Sequence, residues 1–259
     1  MITRQFDSVA ELQHAYGVLR GNWKLALPTA LASLATVLFL TSVVAVTALS
    51  AVGAGALSGH PGGMAALLGA GSLTFVAGLV LVLLIVAVAH ATVIAAAQDA
   101  WLGQAVDLAR GLRRALDKLP DIIIASIILA VLAMICVPFI LALGLGLLLL
   151  LGLGFCMMYV LPAIIVGQET GVSALGASWR LATANVAPSI VAFLGMLLAY
   201  VAATVVNGII GHIPVIGWIA AFFVGGLTSA FGALVAVRFY DLLRGTAQPS
   251  SPIDAGQAR

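Results

Sequence analysis

His90 is the one ionisable side chain that the sequence places well inside an apolar run. It precedes Asp99 by nine residues, which along a helix is roughly 13 Å. A neutral imidazole at that depth could ligate haem iron or a chlorophyll magnesium, or hydrogen-bond a quinone. The plainer alternative is a histidine bonded to a carbonyl or hydroxyl of a neighbouring helix. One histidine offers no spacing to test, so the sequence leaves any cofactor unknown.

The remaining histidines predict no metal site. His60, in the glycine-rich stretch SGHPGG, and His212 fall on the same predicted side of the membrane. The loop around His60 has no defined geometry, so solvated or capping roles are expected for both rather than a shared metal ion. His14 lies on a polar segment and is predicted to be a surface residue. Paired carboxylates and a nucleophile–base arrangement are also missing from the sequence, so we expect no enzymatic activity.

Basic residues form candidate contacts in two polar segments between apolar runs. They are Arg110, Arg113, Arg114, Lys118 and Arg180. Such residues could bind an anionic lipid headgroup or the acidic surface of a protein partner. Alternatively, they could do no more than fix the orientation of the chain in a membrane.

The composition decides the broad class of protein. Of 259 residues, 63% are hydrophobic and 8% are charged, and the mean hydropathy is +1.22. A soluble domain carries about 25% charged residues, so a soluble enzyme, a secreted disulfide scaffold and a disordered polypeptide are excluded. The net charge of +2 is too small to predict nucleic-acid binding. These values predict a polytopic membrane protein.

Six apolar stretches are long enough to cross a bilayer, which takes roughly 20 residues each. The predicted fold is all-α, with transmembrane helices at about 25–50, 72–97, 121–141, 145–166, 187–210 and 214–238. Two hairpins are predicted to turn at prolines and glycines: Pro138, Gly144 and Gly146 in the first, and Gly208, Gly211, Pro214 and Gly217 in the second. We expect a single membrane domain over 1–245 and a disordered tail over 246–259.

The charges predict the orientation of these spans. With six spans, all eleven Lys and Arg residues and all nine acids fall on one side. The positive-inside rule makes that side cytoplasmic, with both termini inside. The richness in Ala, Gly, Leu and Val suggests a GC-rich bacterial genome, so we expect a bacterial inner membrane. Charged residues precede the first apolar run, so no signal peptide is predicted.

The polar segments have a helical pattern of their own. Residues 104–119 place apolar side chains on one face and charged ones on the other, and 9–22 and 172–186 do so more weakly. We predict three cytoplasmic amphipathic helices, lying at the interface or against the inner face of the bundle. Each leads into a span near a proline: Pro28, Pro120 and Pro188. Amphipathic helix plus hairpin therefore repeats three times, which predicts a threefold internal pseudo-repeat.

Small residues recur every fourth position in the last two spans. The fifth span has Gly195, Ala199, Ala203, Asn207 and Gly211, and the sixth has Gly217, Ala221, Gly225, Ser229 and Ala233. Such stripes let two helix backbones approach closely. They predict either packing within the final hairpin or docking onto a helix of another subunit.

Two motifs resemble a known family. The run PAIIVGQETGVSALGASWRL over 162–181 and the run RFYDLLR over 238–244 resemble the bacterial glycerophosphoryl diester phosphodiesterase membrane-domain family and related six-helix inner-membrane proteins. The resemblance implies the six-helix fold over most of the chain. Family members are sometimes fused to a soluble phosphodiesterase. We expect no such domain here, because the chain ends soon after its last span, and so no hydrolase activity is carried over.

The sequence is best explained by a non-enzymatic membrane scaffold or accessory subunit that packs against lipids and other membrane proteins. One alternative is a transporter or permease component for an apolar or lipid-like solute, with broken helices at Pro138 and Pro162. Another is a haem- or chlorophyll-bearing subunit that uses His90 as a ligand.

Overall fold

The computed structural model describes residues 7–57, 61–141, 145–213 and 216–245. Within these ranges all regular structure is helical, which confirms the predicted all-α class. A short 3₁₀ turn covers Trp23–Ala26. The α-helices are α1 (Ser8–Gly21), α2 (Leu27–Leu57), α3 (Pro61–Trp101), α4 (Leu108–Asp117), α5 (Leu119–Leu141), α6 (Leu145–Met157), α7 (Val160–Ile165), α8 (Gly171–Ala184), α9 (Val186–Ile210) and α10 (Ile216–Leu243).

Six helical stretches are long and apolar enough to cross a membrane, as predicted. They are Trp23–Val43, Val80–Trp101, Leu119–Cys136, Leu145–Ile165, Val186–Ile210 and Gly217–Leu243. Their number, length and composition are those of a multi-pass integral membrane protein. The predicted tail over 246–259 lies outside the described residues.

Prolines mark the beginnings of three span helices, as the sequence predicts. Pro28 is the second residue of α2, Pro120 the second of α5 and Pro188 the third of α9. A proline is tolerated there because the first N–H groups of a helix have no partner within it.

The predicted turn residues of the hairpins are partly wrong. Helix α5 continues through Pro138 to Leu141, Gly146 lies inside α6, and Gly208 lies inside α9. Ending a helix in hydrocarbon would expose many unpaired peptide groups. A single hydrogen bond lost at a proline, or a glycine inside a helix, costs less free energy than ending the helix there. Gly144 and Pro214 lie outside the described residues.

The fourth span is broken, but not at its proline. Helix α6 ends at Met157 and α7 begins at Val160. Pro162 lacks an N–H group and cannot donate to the carbonyl four residues earlier, that of Met158. Ser178 of α8 closes the gap, because its buried Oγ accepts from the Tyr159 N–H at 3.2 Å and donates to the Cys156 carbonyl at 2.7 Å. Ser178 therefore satisfies two of the backbone groups at the break.

The most deeply buried side chains of the described residues lie near one end of the bundle. The longest continuous buried stretches are 91–97 on α3, 162–165 on α7 and 233–240 on α10. Helices α3 and α10 pack against each other, and both contact α7. This end also carries the charged residues described below.

The three predicted amphipathic helices exist as α1, α4 and α8. Each packs on one hairpin: α4 on α3, α8 on α5 to α7, and α1 on α9 and α10. Helices α4 and α8 each follow directly after the hairpin on which they pack. Helix α1 packs on the last hairpin, and so takes the place of a helix that would follow it. The threefold repeat and a position in the membrane interface stay predictions.

Helix α4 packs on α3 through its small residues, and the leucines of its predicted apolar face stay exposed. Gly111 and Ala115 are buried against α3, whereas Leu112 and Leu116 are 41% and 49% exposed. A Cβ atom at Gly111 would lie 2.9 Å from the carbonyl oxygen of Thr92. Close contact between two helices requires small side chains on the contact face, so the leucines face outward.

Candidate functional site

Asp99, in the last turns of α3, is buried beneath two arginines of α4. Its side chain is 1% exposed. The Nη1 atom of Arg114 donates to Oδ1 at 3.0 Å. The Nε atom of Arg110 lies 3.4 Å from Oδ2 but outside hydrogen-bonding geometry, so this second contact is an ion pair only. Asp107 caps α4 by accepting from the N–H groups of Ala109 and Arg110, which fixes where the helix starts.

A second ion pair joins the first and last helices. Arg238 of α10 is 8% exposed and makes two hydrogen bonds to the Glu11 carboxylate of α1. Its guanidinium carbon also lies 5.0 Å from the centre of the Trp101 ring, within the range of a cation–π interaction. Trp101 belongs to α3, so one arginine connects three helices.

Trp101 faces into the protein. Its Nε1 donates to the Leu234 carbonyl at 3.0 Å, and the His14 ring meets its ring edge-on at a centroid distance of 5.0 Å. His14 is exposed, as predicted, and its ring contacts the half-buried Trp101.

A cleft of about 320 Å³ lies beside these ion pairs, between α8, the segment that precedes it and the end of α10. Its lining residues are Glu169, Ala177, Arg180, Leu181, Ala184, Tyr240 and Arg244. Both arginines are exposed. The Nη1 atom of Arg244 donates to the Tyr240 hydroxyl at 2.8 Å, and the Glu169 carboxylate accepts from Ser173 at 2.8 Å.

Gly167 makes room for one wall of this cleft. A Cβ atom at this position would overlap the Tyr240 hydroxyl oxygen and would lie 2.8 Å from Nη1 of Arg244. The neighbouring Gln168 has a φ of 57°, which lies in the left-handed region and turns the chain sharply between α7 and α8. The two runs that carry the family resemblance therefore meet at this cleft.

The structure divides the predicted basic contacts into two groups. Arg110 and Arg114 are paired with Asp99. Arg113 is exposed, and Arg180 lines the cleft. Within the described residues, neither of these two side chains has an ion pair. Lys118, half-buried at the end of α4, bonds through its backbone N–H to the Arg114 carbonyl.

His90 is half-buried and bonds within its own helix, with Nδ1 2.9 Å from the Val86 carbonyl oxygen. Because a carbonyl only accepts, Nδ1 carries the proton and Nε2 keeps its lone pair in the neutral ring. No group of three His, Cys, Asp or Glu side chains suited to a metal ion occurs among the described residues. His60 lies outside them, and His212 is exposed.

The small-residue stripes are used only in part within the chain. Helices α9 and α10 pack together, and Gly217 sits against the Ile210 carbonyl. Gly195 packs on Leu12 of α1. A Cβ atom at Gly195 would lie 2.9 Å from both methyl carbons of Leu12. Gly225, in contrast, is exposed, and a Cβ atom there would meet nothing within 4 Å.

Sequence reasoning missed four residues that build this end: Glu11, Trp101, Arg238 and Tyr240. Trp101 and Tyr240 have the positions of interfacial aromatics but are packed inward. The usable signal was Arg238, a cation three residues before Asp241 and six before Arg244 in an otherwise apolar helix. An ionisable side chain within the apolar part of a span usually pairs with another group.

Comparison with protein-family models, curated proteins and solved structures gives no match to this chain.

Proposed function

We propose that the chain is a non-enzymatic scaffold or accessory subunit of the bacterial inner membrane, with both termini in the cytoplasm. It packs against lipids and other membrane proteins. The observation that carries this proposal is the bonding of Asp99, Glu11 and Arg238, each of which is held by another helix of the same chain. A group that catalyses or carries protons must exchange partners, whereas these side chains serve as ties between helices.

The outward faces supply the surface for such packing. Large apolar side chains of α5 and α9 are widely exposed, including Ile127 at 58%, Met134 at 68% and Leu198 at 68%. On α4, Leu112 and Leu116 are exposed and point away from the bundle. These faces support contact with lipid tails and with transmembrane helices of a partner.

The structure gives less support to the other candidate functions. The break at Met158, which a transporter would use to coordinate solute through free backbone groups, is filled by Ser178. His90 is already bonded within its own helix through Nδ1, so its place in the structure is explained without a cofactor. We also propose kinship with the phosphodiesterase membrane-domain family, supported by the contact between Gly167 and Tyr240.

Purification of the tagged full chain from its native membrane in mild detergent tests the proposal. We expect another membrane protein to co-purify in fixed stoichiometry. Gly225→Leu places a bulky side chain on the open part of the α10 stripe, where a Cβ atom would meet nothing within 4 Å, and it should reduce partner recovery if the stripe docks. Gly152→Leu on α6 is the matched control, since nothing lies within 4 Å there either. Recovery of bare monomer alone would count against the scaffold role.

Labelling of single introduced cysteines, in a chain without Cys136 and Cys156, tests the orientation. Cysteines at exposed Arg113 and Arg20 should react only from the cytoplasmic side, and one at His212 only from the other side. Reaction of all three positions from the same compartment would contradict six spans.

A further inference from the structure

We infer that the cleft between α8 and α10 binds a phosphate-ester anion through Arg180 and Arg244, and that in the membrane this anion is the headgroup of an anionic phospholipid. The inference deepens the lipid-binding part of the proposed function and rests on it.

Two helices present their side chains to the cleft at helical spacing. Ala177, Arg180, Leu181 and Ala184 follow one another at three- and four-residue steps on α8, and Tyr240 and Arg244 are four apart on α10. Such steps bring side chains to one face. The cleft is therefore built by two rigid elements rather than by loops.

The side chains that line the cleft carry a surplus of positive charge. Arg180 and Arg244 supply two guanidinium groups, and Glu169, which already accepts a hydrogen bond from Ser173, supplies one carboxylate. Asp241, three residues before Arg244, acts on Arg244 from outside this lining, and the C-terminal end of α10 adds about half a negative charge. The preference for an anion therefore comes from the guanidinium donors in the lining.

Most of the donors of both arginines are free to bind that anion. Arg180 has no ion pair or side-chain hydrogen bond among the described residues. Arg244 donates one N–H to Tyr240, and its guanidinium carbon stays 5.6 Å from the centre of that ring. A guanidinium group has five N–H donors arranged for bidentate contact with phosphate oxygens. Stacking on Tyr240 holds Arg244 in place before the anion arrives.

The shape and position of the cleft favour a lipid as the source of the phosphate. A volume of about 320 Å³ suits a headgroup rather than a whole lipid. Ala177, Leu181 and Ala184 form an apolar wall of the cleft. The glycerol backbone of a lipid can extend along this wall out of the cleft. On the same helix Trp179 is 52% exposed, which is typical of an indole ring at headgroup depth.

Native mass spectrometry of the purified full chain, titrated with phosphatidylglycerol and with phosphatidylcholine, tests this inference. We expect phosphatidylglycerol to bind more tightly, and R180Q/R244Q to weaken it about tenfold, which is the loss of one or two charge-assisted hydrogen bonds. R20Q/K24Q, which removes two exposed cations outside the cleft, should stay within about twofold of the unmodified chain. Equal losses in the two variants, or none in R180Q/R244Q, would overturn the site.

Two further arms keep the outcome clear. E169Q removes the opposing charge and should tighten phosphatidylglycerol binding about threefold, a gain that a misfolded variant cannot give; weaker binding would count against the inference. If inorganic phosphate binds with the same arginine dependence and phosphatidylglycerol does not, the site stands but its phosphate ester is soluble. No protein partner takes part, so failure here leaves the co-purification result untouched.

Discussion

Nε of Arg238 lies 2.7 Å from Oε2 of Glu11 and its Nη2 lies 3.2 Å from Oε1, although 227 residues separate the two in sequence. This pair closes the bundle by joining α10 to α1. Both side chains are mostly buried, at 10% and 19% exposure. Desolvation offsets much of the attraction in such a pair, but removing one partner leaves the other charge buried and unpaired.

Glu11→Gln should therefore destabilise the protein. We expect a loss of about 2–4 kcal/mol, because Arg238 keeps its charge but loses the carboxylate. Thermal unfolding in detergent, followed by tryptophan fluorescence, reports the change directly because Arg238 also touches Trp101. The exposed Asp117 gives the matched control, and Asp117→Asn should change the midpoint little. Equal midpoints for both variants would show that the pair contributes nothing.

Asp99 and its two arginines should respond unequally to neutralisation. Asp99→Asn frees Arg110 and Arg114, which are 42% and 40% exposed and can return to water; we expect a loss of about 1–2 kcal/mol. The double variant R110Q/R114Q leaves a buried carboxylate unpaired and should cost about 3–5 kcal/mol. Hydrogen exchange over α4 and chemical unfolding measure both. The reverse order would mean that water already reaches Asp99.

Ser178→Ala should loosen the broken fourth span. The substitution leaves the Cys156 carbonyl and the Tyr159 N–H without the partner that now bridges them, at a cost of about 1–3 kcal/mol. Hydrogen exchange should rise at the break between α6 and α7. Thr183→Ala on the same helix is the control, because that exposed hydroxyl bonds only within α8. Unchanged exchange at the break would contradict the bridging role.

Gly167→Ala and Gly176→Ala should have effects of opposite sign. A methyl group at Gly167 would collide with the Tyr240 hydroxyl and displace Arg244, costing about 1–3 kcal/mol. Gly176 is an exposed helical glycine with open space around it, so alanine there should stabilise α8 by about 0.5–1 kcal/mol. Unfolding midpoints of the two variants check the signs. A neutral Gly167→Ala would show that the cleft wall adapts freely.

The sequence was sufficient for what depends on one helix at a time. The six spans follow from hydropathy, and the amphipathic segments follow from the spacing of apolar residues. Pro28, Pro120 and Pro188 mark helix starts, because proline is tolerated in a first helical turn. These signals are local, and lipid imposes them strictly because every peptide group must be bonded within its own segment.

Contacts between helices could not be predicted in the same way. Periodicity shows that α4 has two faces, but it does not show that the small face with Gly111 would meet α3. Nor does it show that Glu11 pairs with Arg238. An acid and a base at the ends of two helices can face water, lipid or each other, and only the packing of the spans decides between these arrangements. Trp101 and Tyr240 likewise lie at positions typical of interfacial aromatics, yet both pack inward.

The concentration of deeply buried side chains near one end has a consequence for how the bilayer acts on the protein. Toward the other end, side chains such as Leu148, Ile209 and Trp218 are about two-thirds exposed: 67%, 69% and 64%. Acyl chains of the leaflet at that end, more than protein contacts, then set the spacing of the helices there. Bilayers of different hydrophobic thickness should change the helix spacing in that half of the bundle, while the half with the buried side chains keeps its shape.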